Sequence, residues 1–362
     1  MMRLPAGIYH ETYRQDQQWW QTRFVWARML FLFLLLFVVL PLGLPMLDAS
    51  IGRYVLGLAN LVGYFILGAL GVQLLIGYTG QITLGHAAFI AVGAYVSALG
   101  MLQFGLPYPV TLPLAAIASG LWSVLFGLPS ARVKGYYLIM TTMTAQFVTV
   151  GFIITQYVAQ VGGRGVAFSL PPGTITFGPF PVESELSKYY LMLVLVIGAL
   201  VVVANLLRTR VGRAWVAIRD NDIAAEVLGV NVVRYKLLAY FVAGALGGIA
   251  GAYWLTSLSA VSPEHFEFAL SLELVGMILI GGVGSLYGVV FGALFWALVP
   301  EAIQFGVAGL YPFFPELFGK LSPLRLVAFG LAIILFLLYE PKGLAYRWWQ
   351  IKNYIHLWPF SY

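Results

Sequence analysis

The sequence contains no cysteine, which excludes disulfides, thiolate metal centres and a cysteine nucleophile. Charge is nearly as scarce. Lys, Arg, Asp and Glu make up 9% of the 362 residues, against about 25% in soluble domains. A chain so poor in charge cannot clothe a globular surface with solvated groups. The four histidines show no HExxH or comparable ligand spacing, so no metal site is expected. A GxxxxGK[ST] phosphate loop is missing too. The one Gly-Lys pair, Gly319-Lys320, has Phe314 where the first glycine would stand. No convergent acid, base or nucleophile takes its place, and no soluble catalytic domain of useful size is present.

What is there is apolar sequence, 61% of the chain, laid out in long runs. A membrane span needs about 20 such residues. Candidate spans are 29–47, 54–76, 86–104, 110–128, 137–159, 189–207, 237–257, 268–283, 286–306 and 323–339. The first run exceeds a signal-peptide core and is expected to be retained. Ten spans place both termini on one side of the membrane. With that side cytoplasmic, 15 of the 20 basic residues face the cytoplasm and five (Arg53, Arg164, Lys188, Lys320, Arg325) do not, as the positive-inside rule requires. The net charge of +6 is thus a topology signal and not a nucleic-acid signal. The fold class expected is an all-α, polytopic helical membrane bundle of about ten transmembrane helices with cytoplasmic termini. It divides into an interfacial segment 1–28, a membrane domain 29–345 and a tail 346–362.

Trp19, Trp20 and Trp26 precede the first run, and Trp348 and Trp349 follow the last; such rings suit the headgroup level. The longest external loop, 162–187, is broken by glycine and proline. Its segment TITFGPFP, 174–181, reads as a short hairpin.

Two glycine-rich breaks interrupt apolar sequence, each after Leu-Ile. The first holds Gly77, Gly80, Gln81, Thr83, Gly85 and His86, the second Gly281, Gly282, Gly284, Ser285 and Gly288. Irregular backbone at membrane depth survives only inside protein or along a watery path, and broken helices commonly expose their ends to transporter cargo. On that reading Gly80, Gln81, Thr83, Gly85, His86, Gly282, Gly284 and Ser285 line a substrate path. The alternative is a pair of tight turns whose small residues let helices pack closely. Within the spans only Glu273 and Glu301 bear carboxylates. A charge there costs at least about 2.5–3.5 kcal/mol, which ion-coupled carriers accept for the sake of a relay. This chain lacks an obvious relay, so energy for uphill transport must come from another subunit.

The segment 206–240 is the place for such a subunit to act. It is basic and amphipathic, with six of the 20 basic residues: Arg208, Arg210, Arg213, Arg219, Arg234 and Lys236. Ala224-Ala225-Glu226-Val-Leu-Gly229 resembles the alanine-alanine-xxx-glycine core of the cytoplasmic loop in ABC importer permeases. The leading glutamate of that motif is absent: Ile223 holds its place, beside Asp222 and Glu226. GYTGQITLGHAAFIAVGAY (77–95), Arg132-Val-Lys-Gly135-Tyr-Tyr137, the loop 209–240, VSPEHFEFALSLELVGMILIGGVGSLYG (261–288) and Pro341-Lys-Gly343-Leu344 together resemble the branched-chain amino acid ABC importer permeases, M-type subunit, over residues 50–345.

The resemblance implies a bacterial inner-membrane complex with a sister H-type permease, two ABC ATPase subunits and a periplasmic substrate-binding protein, in contact with membrane lipid and not nucleic acid. It implies no cofactor in this chain and ATP use by the partner subunits. In the ATPase coupling loop, Gly229 would allow a turn between short helices. Ala224 and Ala225 would allow close approach, and Arg213 and Arg219 would meet acidic residues of the ATPase. A loop whose charge only fixes topology would explain the arginines, but not the alanine pair and the glycine. The cargo implied is a branched-chain or related hydrophobic amino acid. Urea or short amides within the same family, or an ion-coupled secondary transporter, are the other readings.

Overall fold

The computed structural model describes residues 23–131, 133, 135–158, 167–171, 173–178, 180–310 and 321–357. The expected interfacial segment lies outside the described residues up to residue 22, as do Arg132, Lys134, Arg164 and Lys320. The chain forms two compact units, residues 1–57 with 347–362, and residues 58–346.

Eight helices among the described residues have the length and apolarity to cross a bilayer. They are α1 Trp26–Gly43, α2 Ala49–Tyr78, α3 His86–Phe104, α4 Tyr108–Gly127, α5 Tyr136–Gln156, α6 Glu185–Arg208, α9 Val232–Leu258 and α11 Leu286–Phe305, which continues to Leu310. Helices are the natural solution, since in hydrocarbon every backbone N–H and C=O must be satisfied within the segment. The loop after α6 carries two further short helices, α7 Arg210–Asp220 and α8 Asp222–Val227. The remaining expected spans are also helical, as α10 Phe268–Gly281 and α12 Leu321–Tyr339. At 14 residues α10 is about 21 Å long, well short of a hydrocarbon core of about 30 Å. A last helix, α13, runs Gly343–Leu357.

In the smaller unit Asp48 caps α2. Its carboxylate accepts from the Ser50 hydroxyl (2.6 Å) and the Ser50 N–H (2.7 Å), and these bonds hold its pKa below the usual carboxylate range.

The larger unit is built on the crossing of α9 with α3 and α4. Apolar side chains gain little by leaving lipid for one another, so close approach of small residues must hold such helices. Gly251 lies against the Ile90 carbonyl, and Gly93 against the backbone of Gly248. Serines fix the contacts: Ser119 Oγ donates to Phe89 O and Ser123 Oγ to Tyr240 O, each at 2.6 Å.

Three helices depart from α geometry. Leu35–Gly43 in α1, the last turns of α2, Gln73–Tyr78, and the stretch Phe147–Val158, which begins in α5 and runs two residues past it, are π-helical. The expected hairpin is present, with β2 Thr176–Phe177 paired to β3 Phe180–Pro181. A second ribbon joins β1 Phe168–Ser169 to β4 Ala260–Val261.

After β4 the chain turns back into the bundle. The 3-10 turn Pro263–Phe266 places the Phe266 ring 6.5 Å from that of Tyr95. Its carbonyl accepts from Gln146 Nε2 at 2.6 Å. Tyr95 and Gln146 both lie midway along their helices, so the turn packs against the middle of α3 and α5 before α10 begins. Glu264 and Glu267, which fall between the expected spans 237–257 and 268–283, travel with this turn and stay exposed.

Candidate functional site

Three polar residues set the helices of the loop 209–231. Thr209 Oγ1 accepts from Val211 N–H (3.2 Å) to start α7. Asn221 Oδ1 accepts from Ala224 N–H (3.1 Å) to start α8. Asn231 Oδ1 accepts from Arg234 N–H (3.0 Å) to start α9. Each meets the preference for Thr or Asn at an N-cap. Gly229, at φ +86°, ends α8 in the left-handed region where other residues are disfavoured. It turns the chain from α8 into the long α9, and not between two short helices as expected; the short pair, α7 and α8, meets instead at Asn221.

The loop is anchored and not slack. Trp215 of α7 is fully buried among Leu74, Leu75, Ala239, Tyr240 and Ala243, and its Nε1 donates to Tyr235 O at 2.8 Å. The sequence reading did not single out Trp215. Its signal is the spacing Val211, Ala214, Trp215, Ile218, one face of a helix. A second anchor is the ion pair Lys236 Nζ–Asp222 Oδ2 at 3.4 Å, with side chains 8% and 21% exposed. Removing one charge strands the other in a half-dry site. Asp222→Asn should therefore lower the melting temperature of the purified complex more than Asp222→Asn with Lys236→Gln, and a thermal-unfolding double-mutant cycle reads the difference.

Beyond these anchors α8 points outward. Ile223, Val227 and Leu228 are 68%, 83% and 82% exposed, with Ala224 and Glu226 also exposed. Ala225 turns inward and is buried, so the alanine pair is split between two faces. Arg213 is exposed, with Nη1 on Arg208 O at 3.2 Å. Arg219 is otherwise engaged. Nη1 donates to Gly77 O at 2.9 Å, and Nε and Nη2 both reach Asp220 Oδ1, at 3.1 and 3.0 Å.

The Gly77 bond joins the loop to the first glycine break, and the two breaks also meet each other. Gln73 Nε2 in the last turns of α2 donates to Gly282 O (3.1 Å) and Ser285 O (2.8 Å) in the second. A Cβ on Gly77 would sit 2.7 Å from Gly284 N, so only glycine fits. The first break continues toward α3 within protein. Gln81, Thr83 and His86 are buried and Gly80 is exposed. Gln81 N–H donates to Leu75 O (2.9 Å), and Leu84 N–H donates to Thr142 Oγ1 (3.1 Å). Gly85 packs on the Thr142 carbonyl, and Ala87 N–H reaches Ser271 Oγ at 2.9 Å. His86 lies edge-on to Phe89 and beside Gly71; neither ring nitrogen has a hydrogen-bond partner among the described residues. Gly343, after Pro341 and Lys342, presses on Gly282 from the other side. Segments far apart in sequence thus share one end of the bundle, and in this conformation the residues of both breaks pack against protein. No group of His, Asp and Glu among the described residues has the arrangement of a metal site.

The chain matches a family model described as branched-chain amino acid transport system, permease component, over residues 54–338. It is similar to the high-affinity branched-chain amino acid transport system permease protein LivM of Salmonella typhimurium, 29% identical over 334 residues, covering 86% of this chain and 74% of the relative. The Escherichia coli LivM is equally similar, at 29% over 334 residues. More distant similarity reaches the galactose/methyl galactoside import permease protein MglC of Haemophilus influenzae, 31% identical over 214 residues, 55% of this chain and 60% of that protein. No solved structure matches the chain. The multi-span helical bundle, the two apposed glycine breaks and a family match spanning both breaks and the loop between them agree, and the chain belongs to the permease components of branched-chain amino acid transport systems.

Proposed function

We propose that the chain is the membrane-spanning half of an ATP-driven importer for branched-chain or related hydrophobic amino acids, and that its loop 209–231 docks an ATPase subunit. The observation that carries the docking is α8: three large apolar side chains stand exposed on a loop that is otherwise capped, ion-paired and anchored by Trp215. Patches of that kind on a rigid mount mark protein–protein contact. Ala224 permits close approach, and Arg213 and Glu226 supply charge at the rim. Ten spans, with the termini and the loop in the cytoplasm of the bacterial inner membrane, fit both the basic-residue bias and the meeting of the loop with both breaks.

The glycine breaks then close the inner end of the cargo path, with Gly80, Gln81, Thr83, Gly85, His86, Gly282, Gly284 and Ser285 as gate residues. A sister permease completes the path, a periplasmic binding protein delivers cargo, and ATP is bound by the partner subunits. ATP shifts the gate only because it binds one conformation of the complex better than the other.

The chain co-expressed with its partners should take up radiolabelled leucine in preference to galactose and urea. Uptake should persist with an uncoupler while ATP is maintained and stop when ATP is depleted. Galactose or urea taken up in place of leucine would refute the cargo, and loss of uptake to the uncoupler alone would refute the energy source.

A further inference from the structure

We infer that Arg219 is a positioning residue for transport, a pin that carries the motion of the loop into the junction of the two glycine breaks. The inference rests on the docking reading above and gives that loop its point of action.

Arg219 sits in the last turn of α7, immediately before α8. Its Nη1 holds the carbonyl of Gly77 at the irregular end of α2. The side chain runs over Gly80, where a Cβ would lie 3.1 Å from Arg219 Cγ, and ends at Gly284, where a Cβ would lie 3.4 Å from Nη1 and 3.4 Å from Gly77 O. Glycines from both breaks therefore leave room for one guanidinium. On the solvent side Asp220 Oδ1 accepts from Nε and Nη2 and helps fix the plane of the group, as carboxylates do for arginine. Gln73 ties the breaks together by two further bonds.

Loop, first break and second break are one hydrogen-bonded unit. A displacement of α8 passes through α7, held stiff by Trp215, to Gly77 and Gly284. A basic residue serving only to set membrane sidedness would have no reason to lie in a slot made by glycines of two distant segments. Three of its five N–H groups are held within the chain, by Gly77 O and Asp220 Oδ1.

The test uses the full complex in proteoliposomes and reads leucine transported per ATP hydrolysed, with co-purifying ATPase measured alongside. Arg219→Ala should keep the ATPase bound and hydrolysing while that ratio falls at least tenfold. Arg219→Lys, which can still donate to Gly77 O, should restore part of it.

The chain has no native thiol, so a covalent replacement of the pin is also available. A Cβ on Gly80 lies 3.6 Å from Arg219 Cβ, within the Cβ···Cβ range of about 3.5–4.5 Å for a disulfide. Gly80 lies at φ +69°, so Gly80→Cys alone sets the baseline: against it, the pair Gly80→Cys with Arg219→Cys should be uncoupled when reduced and regain the baseline transport per ATP when oxidised.

A ratio unchanged in Arg219→Ala overturns the pin. So does an oxidised pair that stays uncoupled, or loss of ATPase from Arg219→Ala, which would make the residue part of the docking surface. If the alanine variant does not assemble, a lysine variant with a ratio no better than the reduced cysteine pair overturns it equally. Failure of the docking reading looks different: ATPase would remain bound when α8 loses its apolar side chains.

Discussion

Replacing Ile223, Val227 and Leu228 together with serine should strip the ATPase from the purified complex and lower leucine uptake at least ~100-fold, while the chain still reaches the membrane at its normal level. The three side chains are more than two-thirds exposed in the isolated chain. Fully covering one such side chain is worth about 1.5–3 kcal/mol, and three together exceed the roughly 2.7 kcal/mol that a hundredfold change in affinity needs. None of the three contributes to the buried cluster around Trp215, so the loop itself should keep its fold. Co-purification of the ATPase on the tagged chain, beside an uptake assay, reads both halves of the expectation. Undiminished co-purification would remove the docking surface from α8.

The second large effect lies in the membrane. Gly251→Leu should prevent accumulation of folded protein, because the added side chain points into the carbonyl of Ile90 and the N–H of Ala94 on α3. These are backbone atoms of a crossing helix and cannot rotate away. Overpacking of even a tolerant core costs about 1–3 kcal/mol, and here the whole α3–α9 contact would have to part. Gly198→Leu is the matched control. It is also a helical glycine in a spanning segment, but nothing lies within 4 Å of a Cβ there, so its size-exclusion profile and yield should equal those of the parent. Equal yields from the two variants would contradict the packing described for α9.

Much of this was legible in the sequence because the bilayer constrains it so heavily. Each of the ten apolar runs is helical, and the predicted α3 boundaries, 86–104, coincide with those observed. The Thr and Asn caps and Gly229 likewise obey local rules that a reader can apply residue by residue. Three features escape such rules. The meeting of the two breaks depends on one side chain, Gln73, bonding backbone carbonyls more than 200 residues away, those of Gly282 and Ser285. Arg219 looks like any arginine of a basic loop until its partner is known to be a backbone carbonyl on α2. The turn 263–266 resembles a connector because a hydropathy window averages over its length, whereas tertiary contacts to Tyr95 and Gln146 carry it inward.

That inward turn has a consequence for the surrounding solvent. A helix of about 21 Å leaves roughly 9 Å of a 30 Å hydrocarbon layer unspanned at its N-terminal end, and tilting only widens the gap. Glu264 and Glu267 stand exposed beside that gap, and acidic side chains are costly to set against acyl chains. Water reaching those carboxyl groups would fill a recess about 9 Å deep, roughly a third of the hydrocarbon layer. A solute entering such a recess would have about 21 Å of that layer, the length of α10, left to cross.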